Sequence, residues 1–374
     1  MAKDLLNSKR IETLDGFRFV AIILVVLYHY YTRWTPPRYT SNLYPYGNSV
    51  YFFNYGYLGV QLFFVISGFV IAFTLQNTFR FGEFWKKRFI RLFPAMFICS
   101  VITFSLVSLL DTTNLFARTH EFKNFLVSLS FIHPEVFNTL FRRYDLQLTY
   151  INGSYWSLWP EIQFYVLASV IYFINPRKFF TRFFVITFLL YLLHKFIHNI
   201  AGPNHFDLPA NGFFVVNFVK LSAIFSYSQF SLWFLLGVLF FQNFSDQHKK
   251  WTNWAIALIM GCLLHDAHEW KVRLILVMIF MAFVLLLFWP KALSFLNHRF
   301  MTSIGVASYS LYLIHEYVGM VFITRYAAYF GSYSAFFPLL VIGVLISFSL
   351  MLYKFVEKPL GKFLKKKALK KELV

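Results

Sequence analysis

An arginine and a histidine, Arg18 and His29, close the two ends of the apolar run RFVAIILVVLYH. Lipid solvates neither group, so their presence in such a run calls for a chemical reason. A histidine titrates near neutrality and serves as a general base or as a nucleophile. An arginine keeps its charge and forks onto phosphate or carboxylate oxygens. On a helix, eleven residues run about 20° past three whole turns and rise about 16 Å. Arg18 and His29 therefore line one stripe, and Asp15, three residues before Arg18, lies beside it. The plainer alternative is that Arg18 snorkels to headgroups at one surface and His29 rests in the opposite interface.

Other segments carry similar groups. FWKKRFIRLFP, residues 84–94, clusters Lys86, Lys87, Arg88 and Arg91, with Arg88 and Arg91 neighbours on a helix face. Such forks suit a phosphorylated ligand, and they equally suit anchoring by lipid headgroups. NGSYWSLWPEIQFY, 152–165, places Glu161 in the first turns of a span, where a carboxylate can orient a histidine, bind a hydroxyl or complement the helix dipole. SYSLYLIHEY, 308–317, sets His315 and Glu316 inside an apolar run. YGYLGVQLFFVISGF, 55–69, combines Gly56, Gly59 and Gly68 with Ser67, a pattern for close helix packing and an interhelical hydrogen bond.

These groups need a scaffold, and the composition says which kind. The 374 residues are 58% hydrophobic, 22% aromatic and only 14% charged, with a mean hydropathy of +0.57. Soluble domains carry about 25% charged residues, so the chain reads as an integral membrane protein in a lipid bilayer. Its net charge of +19 sits between apolar runs and reads as a topology signal, so nucleic acid is excluded as a partner. Cys99 and Cys262 each lie in an apolar run, which argues against a disulfide scaffold or a cysteine metal site, and no metal is expected.

Ten runs long enough to span a membrane are predicted near 14–32, 57–75, 89–110, 157–174, 182–197, 228–243, 251–265, 272–289, 303–325 and 335–354. The fold class is all-α and polytopic, with the first run a retained signal anchor. Apolar but interrupted, 211–227 reads as a re-entrant or interfacial piece. Placing both termini in the cytoplasm puts roughly two-thirds of the lysines and arginines on the inner side. The outer segments, 33–56, about 111–156 and about 198–227, are rich in Asn, Tyr, Pro and Gly, a mixture that suits carbohydrate contacts or an interfacial belt. No internal repeat or appended soluble domain is visible, so residues 1–374 form one domain with a core of 14–359 and a basic tail, 360–374.

The motifs together resemble the acyltransferase-3 family of membrane acyltransferases, which modify cell-surface glycans and some small molecules. LDGFRFVAIILVVLYH, Leu14 to His29, matches its opening pattern of leucine-aspartate-glycine, arginine, ten residues and histidine. Arg88 to Arg91, Phe63 to Phe69, Trp156 to Glu161 and Ser308 to His315 match four further signatures in order. Pro160 before the glutamate and Glu316-Tyr317 after the histidine depart from the family's usual residues.

The resemblance implies transfer of an acyl group, acetyl by default, from cytosolic acyl-coenzyme A to a hydroxyl on the far side of the plasma membrane. Arg88, Arg91, Lys87 and Arg18 would hold the coenzyme. His29 would be general base or acyl carrier, with Glu161 supporting it or orienting the acceptor and Asp15 pairing Arg18. Ser67, Trp156, Tyr309 and His315 would contact substrate. A transporter or flippase using Asp15, Arg18, His29, His315 and Glu316 as an intramembrane pathway is the competing expectation.

Overall fold

Each of the ten apolar runs becomes one helix, because a backbone in apolar surroundings must satisfy its own polar groups. The computed structural model describes residues 11–34, 51–201, 220–221, 224–246 and 250–363. Most of the predicted re-entrant piece, much of the outer segments 33–56 and 198–227, and most of the basic tail lie outside the described residues.

In chain order the α-helices are α1 (Glu12–Tyr28), α2 (Leu58–Gln76), α3 (Phe81–Leu110), the short α4 (Phe122–Ser128) and α5 (Pro134–Leu140), then α6 (Leu158–Ile174) and α7 (Phe179–Ala201). They continue with α8 (Tyr227–Asp246), α9 (Lys250–Asp266), α10 (Trp270–Phe288), α11 (Arg299–Tyr326) and α12 (Phe337–Leu352). No strand occurs among the described residues. Seven helical segments among them are long and apolar enough to cross a membrane by length and composition. The last of these, Arg299–Phe363, contains both α11 and α12, whereas α8 and α9 fall outside the set.

Two helices differ from the sequence expectation in ways that matter for chemistry. α1 carries Glu12 and Asp15 in its first turn, where the dipole favours acids. It does not stop at Tyr28 but widens into a π-helical turn, His29–Arg33, the kind of distortion that often re-aims a side chain at a functional site. α3 begins at Phe81, well before the apolar stretch, so Lys86, Lys87, Arg88 and Arg91 all ride on the helix itself. Pro94 lies inside α3, where it removes one backbone hydrogen bond.

Burial separates an inner group from an outer one. In the most apolar windows of α1 and α2, 61% and 67% of residues are buried, against 17% in α7 and 22% in α10. The outer helices turn residues such as Leu189, Leu193, Val277 and Met281 outwards, as a lipid-facing surface requires. The inner ones touch backbone to backbone. A Cβ on Gly68 of α2 would strike the Phe234 carbonyl of α8, and one on Gly237 of α8 would strike the Val65 carbonyl of α2. α2 runs antiparallel to α1, since Gly56 and Gly59 at its start meet the Leu24 and Ala21 carbonyls towards the end of α1. α11 packs against α1, α3 and α12 and is the element around which the polar side chains gather.

Candidate active site

Polar side chains from α1, α2, α3, α6 and α11 line a single cleft with about 740 Å³ of empty space including its mouth. Arg18, Arg88 and Arg91 supply its positive charge, Glu161 a carboxylate, and Ser67, Tyr165, Tyr309 and Tyr312 hydroxyls. Asp15, 2% exposed, holds Arg18 through a 2.6 Å ion pair from one turn earlier on the same helix. Arg88 is buried to 8% exposure, a costly position for a charge unless it finds partners. It donates to Thr74 Oγ1 at 3.3 Å and lies 5.7 and 6.0 Å from the ring centres of Phe84 and Tyr165.

Glu161 takes its hydrogen bonds from hydroxyls. Ser67 donates to its Oε1 at 2.5 Å and Tyr165, one turn on, at 2.6 Å. Tyr309 points its hydroxyl at the Leu92 carbonyl of α3, 3.3 Å away. Lys87 is not in the cleft, since it pairs with Glu83 at 2.5 Å and reaches Thr78 at 3.4 Å. Trp156 also lies elsewhere, 37% exposed and packed on Phe230.

His29 belongs to a second cluster at the other end of α1. Its Nε2 faces Glu316 Oε1 at 3.5 Å, and its Nδ1 lies 2.8 Å from the Val25 carbonyl and 3.3 Å from His315 Nε2. His315 is fully buried, its Nδ1 2.8 Å from the Tyr312 carbonyl. Carbonyl oxygens only accept, so each ring carries its hydrogen on Nδ1, and His29 Nδ1–H is shared between Val25 and His315 Nε2. The free lone pair of His29 is thereby left on Nε2.

The stretch before α6 holds this part of α11 in place. Asn152 donates to the Leu313 carbonyl at 2.8 Å and Ser154 Oγ to the Tyr312 carbonyl at 3.2 Å. Tyr30 donates to the His315 carbonyl at 2.6 Å, in a space that any side chain at position 319 would fill.

The sequence-derived set thus splits. Arg18, Arg88, Arg91, Ser67, Glu161 and Tyr309 meet in the cleft with Asp15 behind Arg18, and His29 meets His315. The carboxylate beside His29 is Glu316, while Glu161 is engaged by Ser67 and Tyr165. Sequence reasoning left Tyr165, Ser157 and Tyr312 out of the site and Glu316 in the transport reading alone. Tyr312 joins the two clusters, because it lines the cleft, bonds Ser157 Oγ at 2.7 Å and accepts from His315. Helical spacing was an available signal, since Tyr165 follows Glu161 by four and Tyr312 precedes His315 by three. Among the described residues no group of three or more His, Cys, Asp or Glu side chains is placed to hold a metal ion.

Comparison with known proteins bears on this arrangement. The chain is 26% identical over 391 residues to O-acetyltransferase OatA of Staphylococcus aureus, from strains NCTC 8325, COL and MRSA252 alike. The alignment covers 95% of this chain and 58% of each relative, so the chain spans somewhat over half the length of the curated relatives it matches. No solved structure matches it. The sequence model of the acyltransferase domain, acyltransferase-3 type, matches residues 11–352 and so takes in both clusters. The chain belongs to the acyltransferase-3 family.

Proposed function

We propose that the protein is a membrane O-acyltransferase that moves an acyl group, acetyl by default, from cytosolic acyl-coenzyme A to a hydroxyl of an extracytoplasmic acceptor, a cell-surface glycan. The observation that carries this reading is the three-arginine cleft, joined through Tyr312 and then His315 to His29, whose Nε2 lone pair is free to take a proton. In this reading all ten long helices cross the plasma membrane, both termini are cytoplasmic, and the cleft mouth faces the cytosol. The two ends of the stripe then serve different substrates.

Arg88 and Arg91 bind the coenzyme's phosphates through forked, charge-assisted bonds, with Arg18 deeper in the cleft. Ser67 and Tyr309 contact the pantetheine arm, and Glu161 keeps Ser67 and Tyr165 in their rotamers. His29 Nε2 takes the proton of the acceptor hydroxyl as its oxygen attacks the thioester carbon. The C–O bond forms, the C–S bond breaks, and the proton passes from Nε2 to the departing thiolate. The family match does not favour the transporter reading. Mass spectrometry of surface glycans from cells with and without the gene tests the proposal. A gain of 42 mass units on a sugar, the ~42 Da of an added acetyl expected for acyl transfer, supports it. Identical glycans together with no label transfer from acetyl-coenzyme A would sink it.

A further inference from the structure

Glu316 is 2% exposed, and its Oε2 is buried with no hydrogen-bond partner among the described residues. Its place exists because position 153 is glycine, since a Cβ there would come within 2.8 Å of both carboxylate oxygens. A buried carboxylate with one oxygen left unpaired is costly and persists where a cation or proton accompanies it. Its Oε1 faces His29 Nε2, the atom left without a hydrogen by the bonds of Nδ1. With Glu316 ionised and His29 neutral, two acceptors would face each other. The contact becomes attractive when one proton lies on it. The 3.5 Å separation is longer than a charge-assisted hydrogen bond, so an incoming hydroxyl can still address Nε2.

We propose that Glu316 is a positioning residue that aims His29 at the acceptor hydroxyl and steadies the imidazolium formed when His29 takes its proton. His315, accepting from Nδ1–H on the opposite side, fixes the ring's tautomer. The step is unchanged in its balance: the proton goes from hydroxyl to Nε2 and then to the thiolate, and Glu316 ends as it began. The inference rests on His29 being the base. The titratable and charged groups facing the pair are Tyr28, Tyr30 and Arg33 on the His29 side, and Tyr312 and His315 on α11. The 152–154 stretch contributes the Ser154 backbone. Those groups are the same in all the variants below.

The test uses the full chain in lipid nanodiscs, acetyl-coenzyme A as donor and purified cell-envelope polysaccharide as acceptor, with coenzyme A release followed across pH. Glu316→Gln should lower kcat by about ten- to a hundredfold, the scale of losing a group that orients a working histidine, with KM for acetyl-coenzyme A unchanged. Its acid limb should move to lower pH, because a neighbouring carboxylate favours the protonated imidazole. Glu316→Asp should recover part of kcat and the original limb. Gly153→Ala, which pushes a methyl group onto both carboxylate oxygens, should reproduce the loss without touching His29. A uniform loss with the acid limb in place, in Glu316→Gln and Gly153→Ala alike, reduces Glu316 to a packing residue and overturns the proposal. An active His29→Ala overturns the base assignment itself, whereas an inactive His29→Ala beside a normal Glu316→Gln overturns the role of Glu316 alone.

Discussion

The cleft and the histidine cluster are built from overlapping helices and solve opposite problems. The cleft gathers three like-charged guanidinium groups around empty space, with one paired by Asp15 and another resting on aromatic rings. Such a constellation suits an anionic ligand. The histidine cluster has its groups packed against one another, with every ring hydrogen committed to a partner. It is prepared for a proton. In the proposed reading, the region that would bind the donor is roomy and charge-rich, and the region that would do the chemistry is tight and specified in its hydrogen positions.

Substitutions can break or sharpen that contrast. His29→Ala should have the largest effect, a loss of acyl transfer of about 10²- to 10⁴-fold, the usual share of a general base. Normal membrane insertion on fractionation should accompany it, and retained transfer would remove the histidine cluster from the chemistry. The double change Arg88→Ala with Arg91→Ala comes next. Hydrogen bonds to charged groups contribute about 1.5–3 kcal/mol each, so binding of acetyl-coenzyme A should weaken by roughly a hundredfold or more. Calorimetry reads this directly, and unaltered affinity would mean that the coenzyme lies elsewhere.

Glu161→Gln should have an intermediate effect, because the amide can still accept from Ser67 and Tyr165 while losing its charge beside the arginines. A rise in KM for the donor with kcat nearly constant would mark Glu161 as part of the binding region, and a displaced acid limb would instead join it to the proton chemistry. Tyr312→Phe should be the mildest, removing the hydroxyl's bonds to Ser157 and to the Ser154 carbonyl. Ser157 still reaches that carbonyl, so the net cost is about 1 kcal/mol, hence roughly a fivefold loss of kcat. Since the substitution keeps the backbone carbonyl that accepts from His315, a complete loss of activity would show that the hydroxyl touches substrate.

Much of this is legible in the sequence. The LDGFR…H spacing placed Arg18 and His29 at two ends of one helix, and Asp15 does hold Arg18. The small residues of the FF-x-x-SGF stretch predict close helix packing, and Gly68 meets the α8 backbone as that requires. Lys87 looked equivalent to Arg88 in the basic cluster, yet one residue is 100° around a helix, and that angle turns it to Glu83 instead of the cleft. Trp156 belongs to a family signature but packs on a ring of α8, a contact no spacing within its own segment foretells.

By itself the sequence determined the membrane class, the ten helical runs, the order of the motifs and the family, because these follow from local apolar length and short-range spacing. Only the tertiary structure decided which carboxylate lies beside His29. Glu161 and Glu316 are both acids within apolar helices, and they lie 132 and 287 residues from it along the chain. The choice depended on α1 widening at His29, on α11 lying against it, and on a glycine at 153 leaving room for Glu316. Partners so distant in sequence meet through helix packing, whose geometry is set by the whole bundle and by no single segment.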